Sequence, residues 1–171
     1  MEAVPKVTLK GTPFSLAGPL PAPGQPAPDF VAVGNDLSPV RFSSAFKGKV
    51  VIIASVPSLD TPVCEIETKR FNKEAAALGH KVAIVTVSMD LPFAQKRWCA
   101  AAGVESLTTV SDHRDADFGT KYGVLIKDLR LLARAVFVVD DKGVVRYTEL
   151  VPEVSHEPEY DSVLAAVKKL L

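Results

Sequence analysis

Cysteine is scarce in this 171-residue sequence, which contains only Cys64 and Cys99. Two cysteines are too few for the disulfide framework of a small secreted protein. They could hold a structural zinc ion only with help from histidines, and the three histidines of the chain are scattered rather than clustered. No C-x-x-C pair occurs, so a redox dithiol of that spacing is excluded. We therefore predict no metal site, and in a reducing compartment the two cysteines favour catalytic or redox chemistry.

An excess of charge of either sign is also missing. Twenty basic residues balance twenty acidic ones, and neither kind forms a block, so we predict neither a nucleic-acid partner nor membrane binding. The longest apolar runs, near 50–56 and 135–139, have the length of strands and cannot span a bilayer. The first residues, Met1–Lys6, lack the pattern of a signal peptide, and a cytoplasmic location is expected. Glycines are isolated, without a phosphate-binding loop, and no cofactor is predicted.

The length predicts one domain over residues 1–171. A hairpin within 1–18, a loop of five prolines at 19–28 and a second hairpin at 30–42 come first, and both hairpins are interpreted as additions to the main fold. Ser43 is predicted to cap a short helix through Phe46. Strands at 50–56 and 82–87 then alternate with helices at 65–78 and 90–102, which indicates parallel strands.

The last third of the chain predicts a short strand, a short helix, a hairpin and a terminal helix. These elements lie at 107–110, 115–122, 135–150 and 159–171. The whole order describes a thioredoxin-like α/β fold, with a central mixed sheet flanked by helices and an N-terminal β-hairpin extension. In the helix at 65–78, the stripe predicted to face the core comprises Val63, Ile66, Phe71, Ala75 and Leu78.

Cys64 occupies the most informative position of the sequence, because it starts a helix directly after a strand and a tight loop. Unpaired N–H groups and the helix dipole favour negative charge there, and thiols in such positions ionise more readily. The Thr61 hydroxyl and the flanking prolines Pro57 and Pro62 would hold a small polar substrate over the sulfur. The alternative is an inert buried cysteine, the usual state of a free cysteine, and position alone does not decide between the two.

Cys99 and Arg134 are the other candidate site residues. Cys99 shares a boundary face of its helix with Gln95 and Ala102, and Trp98 is the better core candidate. Cys99 is either within reach of another sulfur or a small residue without a role. Arg134 stands at the mouth of a buried strand, where a guanidinium needs a partner. It either faces the Cys64 loop, where it would favour a thiolate, or forms a surface ion pair.

Three separate segments resemble the thiol peroxidase subfamily of the peroxiredoxins, which are atypical two-cysteine enzymes. They are the P-x-x-x-T-x-x-C pattern of Pro57–Cys64, the run Asp90–Gln95 followed by Cys99, and Ala133–Val136. The closing segments Val151–Glu153 and Glu157–Tyr160 are also similar, so the resemblance covers nearly the whole chain. It implies a thioredoxin fold and the reduction of hydrogen peroxide and organic hydroperoxides by a thiol donor.

The resemblance also implies roles for individual residues. Cys64 would attack the peroxide and become a sulfenic acid, while Thr61 would orient the peroxide and Arg134 would stabilise developing charge. Pro57 would shield the sulfenic acid from water. Cys99 would then form an intrachain disulfide with Cys64, which thioredoxin would reduce. A homodimer is expected as well.

Two other function classes remain open at this point. One is a non-enzymatic redox sensor or chaperone that uses the same disulfide as a switch, and the other is a binding module with two incidental cysteines. For any of these, the positions of the cysteines have a physical consequence. Packed helices have axes about 8–10 Å apart, whereas a disulfide needs Cα atoms within about 7 Å. We therefore expect disulfide formation to require local unwinding around Cys64, Cys99 or both.

Overall fold

The structure is a computed structural model that describes residues 4–171. The prediction about the start of the chain rests partly on residues 1–3, which lie outside this range. The strands are β1 (Lys6–Leu9), β2 (Thr12–Ser15), β3 (Val31–Val33), β4 (Pro39–Arg41), β5 (Val50–Ser55), β6 (Val82–Ser88), β7 (Thr108–Ser111), β8 (Leu125–Ile126), β9 (Leu131–Leu132), β10 (Ala135–Val139) and β11 (Val145–Leu150). The helices are α1 (Phe42–Ala45), α2 (Pro62–Leu78), α3 (Pro92–Ala102), α4 (Asp117–Lys121) and α5 (Tyr160–Lys168).

A seven-stranded mixed sheet organises the chain, with the strand order β11-β10-β5-β6-β7-β3-β4. The strands β5, β6 and β7 are parallel, and β10 runs antiparallel to β5 and β11. The predicted thioredoxin-like fold, a mixed sheet flanked by helices with an N-terminal β-hairpin, is confirmed. The interpretation of the second hairpin as an addition was wrong. Its strand β3 pairs with β7 through Val33 and Ser111 and forms part of the sheet.

Apolar cores lie on both faces of the sheet, because neighbouring residues of a strand point to opposite sides. Ile52 packs with Phe71 of α2 and Val163 of α5, whereas Ile53 packs with Phe118 of α4 on the other face. Every residue of β5 is buried as a result. This explains the uninterrupted apolar run in its sequence. None of the helices within residues 4–171 is both long enough and apolar enough to cross a bilayer.

The first hairpin, β1–β2, is fastened to the segment that follows β11. The Thr8 N–H donates to the Pro152 carbonyl at 2.8 Å, and the Val154 N–H donates to the Thr8 carbonyl at 2.8 Å. The carboxylate of Glu153 accepts the Gly11 N–H at 3.0 Å. The hairpin therefore holds residues 152–154 in place, close to the functional site described below.

Ser43 does not cap α1, contrary to the sequence prediction. The helix begins one residue earlier, at Phe42, whose buried ring packs into the core. The N–H and the hydroxyl of Ser43 instead donate to the carboxylate of Asp29, at 2.9 and 2.8 Å. A residue fourteen positions upstream thus supplies the capping oxygen, which a search for local cap residues cannot detect.

The buried face of α2 also differs from the predicted stripe. Ile66, expected in the core, is 53% exposed. The residues that face inward are Cys64, Glu67, Thr68, Phe71 and Ala75. Their spacing has the helical period, but the stripe includes a glutamate, and hydrophobicity alone does not assign a glutamate to a core.

Candidate active site

The carboxyl ends of β5, β6 and β7 meet at one edge of the sheet and carry the candidate site. Their register brings Ser55 beside Val87, and Ser88 beside Ser111. The loop of residues 56–61 leaves β5 at this edge, and residues 89–91 leave β6 beside it. In α/β sheets, ligands bind at the carboxyl ends of the strands.

The start of α2 presents free backbone donors. Pro62 is the first helical residue, where a missing N–H costs nothing. The N–H groups of Val63 and Cys64 belong to the first turn and have no partner within the helix. Thr61 precedes the helix in an extended conformation, and its half-buried side chain does not cap it. The Thr61 hydroxyl donates to the Ser58 carbonyl at 3.0 Å, which leaves its oxygen able to accept a hydrogen bond.

The Cys64 thiol is fully buried and packs against Val56, Leu59 and Trp98. Pro57, in the loop before α2, is also buried. Such apolar surroundings disfavour a charged sulfur unless a cation stands next to it.

Arg134 supplies that cation. It lies directly before β10, whose first residue pairs with the last residue of β5, and only 1% of its surface is exposed. Its Nη2 donates to Cys64 Sγ at 3.2 Å, its Nε donates to the Val154 carbonyl at 2.9 Å, and its Nη1 donates to Glu67 Oε2. Burial disfavours the charge, but the attraction of Glu67 and Cys64 outweighs it, and the pKa of Arg134 is raised. The structure thus brings Arg134 and Cys64 into contact, and the alternative of a surface ion pair is wrong.

Glu67 is the residue of this cluster that the sequence analysis missed. It is fully buried, and burial raises the pKa of its carboxyl to about 7 in spite of the ion pair with Arg134. Its Oε1 has no hydrogen-bond partner among residues 4–171. One guanidinium therefore faces two acids, a thiol and a carboxyl. Its position in the sequence could have indicated this burial, because Glu67 lies one helical turn after Cys64 and one turn before Phe71 and therefore shares their face of α2.

A network of hydrogen bonds fixes the loop before α2. Asp90, in the turn after β6, accepts the Ser58 hydroxyl at 2.7 Å and the Leu59 N–H at 2.8 Å. It also accepts the Ser88 hydroxyl at 2.7 Å. The Asp60 N–H in turn donates to Ser58 Oγ at 3.1 Å. In the sequence, Asp90 starts a predicted helix and belongs to a segment that resembles the family, but its type and position predicted no role for it in the site.

Cys99 has different surroundings from those of Cys64. It lies within α3, half-buried, and its Sγ is 3.6 Å from Thr109 Oγ1. The Thr109 hydroxyl donates to Asn35 Oδ1 at 3.3 Å, so the thiol is the donor to Thr109. Burial raises the pKa of Cys99. Both cysteines are free thiols with separate partners, and Trp98, next to Cys99, packs against the Cys64 cluster.

The burial of α3 also departs from the sequence prediction. Gln95 is fully buried rather than on a boundary face, and its Nε2 donates to Ser88 Oγ and to the Val110 carbonyl, both at 2.9 Å. Trp98, predicted for the core, is half-buried. The two bonds to strand ends let an amide take the inward position that a hydrophobic pattern assigns to an apolar residue.

A groove of about 670 Å³ adjoins the Cys64 loop. Leu59, Asp60, Asp90 and Trp98 line it, together with Leu91 and Phe93, whose side chains are exposed. The groove offers space beside the site to a substituent on a small substrate. Within residues 4–171, no three histidine, cysteine, aspartate or glutamate side chains are grouped closely enough to hold a metal ion.

Comparison with known proteins gives consistent results. Residues 22–164 match the Redoxin family. A thiol peroxidase of Oceanobacillus iheyensis is 54% identical over 163 residues, which cover 95% of this chain and 98% of that protein. A thiol peroxidase of Bacillus subtilis is 49% identical over 97% of this chain and 98% of its own. The crystal structure of a peroxiredoxin-like protein from Aquifex aeolicus superposes with a TM-score of 0.90, at 48% identity and 97% coverage of both chains.

Proposed function

The chain belongs to the redoxin family and is a thiol-dependent peroxidase of the peroxiredoxin type, and on this premise we propose that Cys64 reduces hydrogen peroxide and organic hydroperoxides. The observation that carries the proposal is the contact of 3.2 Å between Arg134 Nη2 and Cys64 Sγ in the first turn of α2. A buried cation beside the sulfur favours the thiolate, which is the nucleophilic form.

In the first step, the Cys64 thiolate attacks the terminal oxygen of the peroxide. The S–O bond forms as the O–O bond breaks, and the departing oxygen takes up a proton and leaves as water or an alcohol. The Thr61 oxygen accepts a hydrogen bond from the peroxide, and the free N–H of Cys64 donates one. Arg134 stabilises the charge that develops on the leaving oxygen. The buried Pro57 shields the resulting sulfenic acid from water.

In the second step, the Cys99 thiol attacks the sulfenic sulfur of Cys64, and an intrachain disulfide forms with loss of water. The two thiols have separate partners in this structure. Residues near the start of α2 and within α3 therefore unwind or shift for this step. Thioredoxin then reduces the disulfide by thiol–disulfide exchange.

The wider setting of the activity belongs to the same proposal. We place this enzyme in the cytoplasm, where a reducing environment keeps both cysteines available. We also propose that the chain is one domain and that it works as a homodimer. Sedimentation of the reduced protein tests the dimer, and a purely monomeric species at micromolar concentration would contradict it.

The function is tested by coupling the protein to thioredoxin, thioredoxin reductase and NADPH with a panel of peroxides. We expect NADPH oxidation that depends on both peroxide and thioredoxin, and a Cys64–Cys99 peptide after digestion of the oxidised protein. A disulfide that forms without sustained peroxide turnover would instead favour a redox sensor. Failure of Cys64 to react with a thiol reagent at neutral pH would favour a binding module.

A further inference from the structure

Asp90 connects the loop after β5 to the start of α3. Its Oδ1 accepts the Ser58 hydroxyl at 2.7 Å, and its Oδ2 accepts both the Leu59 N–H at 2.8 Å and the Ser88 hydroxyl at 2.7 Å. Two of these donors belong to the loop that precedes Cys64. The carboxylate itself stands two residues before α3, the helix that carries Cys99. One side chain therefore joins the segments that bear the two cysteines.

Further hydrogen bonds hold Asp90 and its turn against the ends of the strands. Ser88 also accepts the Nε2 of the buried Gln95 at 2.9 Å, and the Ser111 hydroxyl donates to the Asp90 carbonyl at 2.5 Å. These contacts attach the turn to the ends of β6 and β7. Hydrogen bonds to a carboxylate are stronger than neutral ones, and removal of the acceptor leaves the donors without a partner. Asp90 thus holds the loop of residues 56–61 closed against the ends of β6 and β7.

Resting on the proposed function, we propose that Asp90 is a positioning residue that keeps the Cys64 loop closed and thereby divides oxidised Cys64 between two fates. In one fate, the Cys99 thiol attacks the sulfenic sulfur, and a disulfide and water form. In the other, a second hydroperoxide oxidises the sulfenic acid to sulfinic acid, and water or an alcohol leaves.

The two fates require opposite states of the loop. The Cys64 sulfur is fully buried when the loop is closed, so attack by Cys99 needs an opening. A second peroxide needs the closed site, because there the guanidinium of Arg134 contacts the sulfur at 3.2 Å. We call the hydrogen bonds of Asp90 to Ser58 and Leu59 the latch. A strong latch prolongs the closed state and favours the sulfinic acid, whereas a weak latch favours the disulfide.

Three variants isolate the latch. Asp90→Asn keeps the size of the side chain but cannot accept all three hydrogen bonds, and Ser58→Ala removes a single one. Asp140→Asn is the matched control. The Asp140 carboxylate also accepts three bonds, from the N–H groups of residues 142 and 144 and from Arg146 Nε. It lies after β10, at the opposite end of that strand from Arg134.

The first measurement is the rate at which N-ethylmaleimide alkylates Cys64 in the reduced protein, with Cys99→Ser introduced into every variant. Because the sulfur is buried, the rate reports loop opening. We expect an increase of about tenfold for Asp90→Asn, equivalent to about 1.4 kcal/mol, a smaller increase for Ser58→Ala, and no change for Asp140→Asn. Unchanged alkylation in Ser58→Ala and Asp90→Asn would overturn the latch, and Ser58→Ala serves alone if Asp90→Asn does not fold.

The second measurement follows the fate of Cys64 in the variants that retain Cys99. Mass spectrometry of the Cys64 peptide after excess hydrogen peroxide gives the sulfinic yield, and the fluorescence of Trp98, the sole tryptophan of the chain, follows disulfide formation. We expect a several-fold lower sulfinic yield and a faster disulfide step in Asp90→Asn and Ser58→Ala. An unchanged yield despite faster alkylation, or an equal fall in Asp140→Asn, would overturn the role in partition.

The two measurements separate this inference from the proposed function. If the unmodified protein consumes no peroxide, the proposed function is wrong and the partition fails with it. The alkylation rates still decide whether Asp90 closes the loop, because the reaction of maleimide with Cys64 requires no peroxide.

Discussion

The two cysteines have the same side chain in opposite surroundings. Cys64 lies in the first turn of α2, fully buried, with its sulfur 3.2 Å from the guanidinium of Arg134. Cys99 lies within α3, half-buried, with its sulfur 3.6 Å from the neutral hydroxyl of Thr109. The first setting places a cation in contact with the sulfur, whereas burial in the second raises the pKa of Cys99 and favours its neutral thiol. The neighbours, rather than the thiol itself, therefore distinguish the cysteine that we propose attacks the peroxide from the one that we propose reacts with its sulfenic acid.

The strongest test of this difference is Cys64→Ser. A serine hydroxyl is a poor nucleophile at neutral pH, and we expect peroxide reduction to fall by more than about 1000-fold. Stopped-flow measurement of peroxide consumption by the reduced protein checks the prediction. If the variant retains most of its activity, the attacking thiol is not Cys64.

Cys99→Ser should separate the two steps instead of abolishing both. The variant should consume about one peroxide per subunit and then stall with thioredoxin, because the sulfenic acid lacks its partner. A titration of peroxide against subunit concentration measures the single turnover. Normal steady-state turnover with thioredoxin would show that Cys99 does not resolve the sulfenic acid.

Replacing the cation should make the surroundings of Cys64 more like those of Cys99. We expect Arg134→Met to slow the first turnover by about 10- to 100-fold, the equivalent of a charge-assisted hydrogen bond. The rate of Cys64 alkylation at neutral pH should fall. Arg134→Lys is the matched control, since it keeps the charge but loses the fork that contacts Cys64 and Glu67 together. An unchanged alkylation profile in Arg134→Met would mean that the cation does not favour the thiolate.

The last comparison concerns Glu67 and the dependence of stability on pH. Burial raises the pKa of Glu67 to about 7 in the folded state, above its ordinary value of 4.5. The folded state therefore holds this proton more tightly than the unfolded chain does. The resulting contribution to the free energy of unfolding is fully present below about pH 4 and is lost as the pH rises through 7. The loss is on the order of 3 kcal/mol.

Urea unfolding at several pH values measures this contribution. Glu67→Gln, which removes the titrating group and keeps its shape, should flatten the fall in stability between about pH 4 and 7. If the variant and the unmodified protein show the same slope in this window, Glu67 does not titrate as its surroundings indicate. Cys99, which has no buried carboxyl as its partner, provides the comparison, and Cys99→Ser should leave the slope unchanged.

The parts of the fold that sequence could predict are those with a local signal. The apolar run of β5, the start of α2 and the proline that begins α3 each mark an element by periodicity or by a boundary residue. The inward positions of Glu67 and Gln95 were missed because each depends on a hydrogen-bond partner outside its own helix, Arg134 for Glu67 and the Val110 carbonyl for Gln95. Asp29 replaced Ser43 as the cap of α1 for the same reason. Long-range polar partners reverse the burial that composition suggests.

The attachment of the first hairpin has a practical consequence for anyone who handles this protein. Thr8 bonds to the backbone of Pro152 and Val154, and the Val154 carbonyl receives the Nε of Arg134. An affinity tag or a truncation at the amino end therefore acts on a strand that is only two hydrogen bonds away from the guanidinium of Arg134, which contacts Cys64. The carboxyl end, where Leu171 is 61% exposed, is the safer place for a fusion, and kinetics recorded on an amino-terminal fusion should be repeated after cleavage.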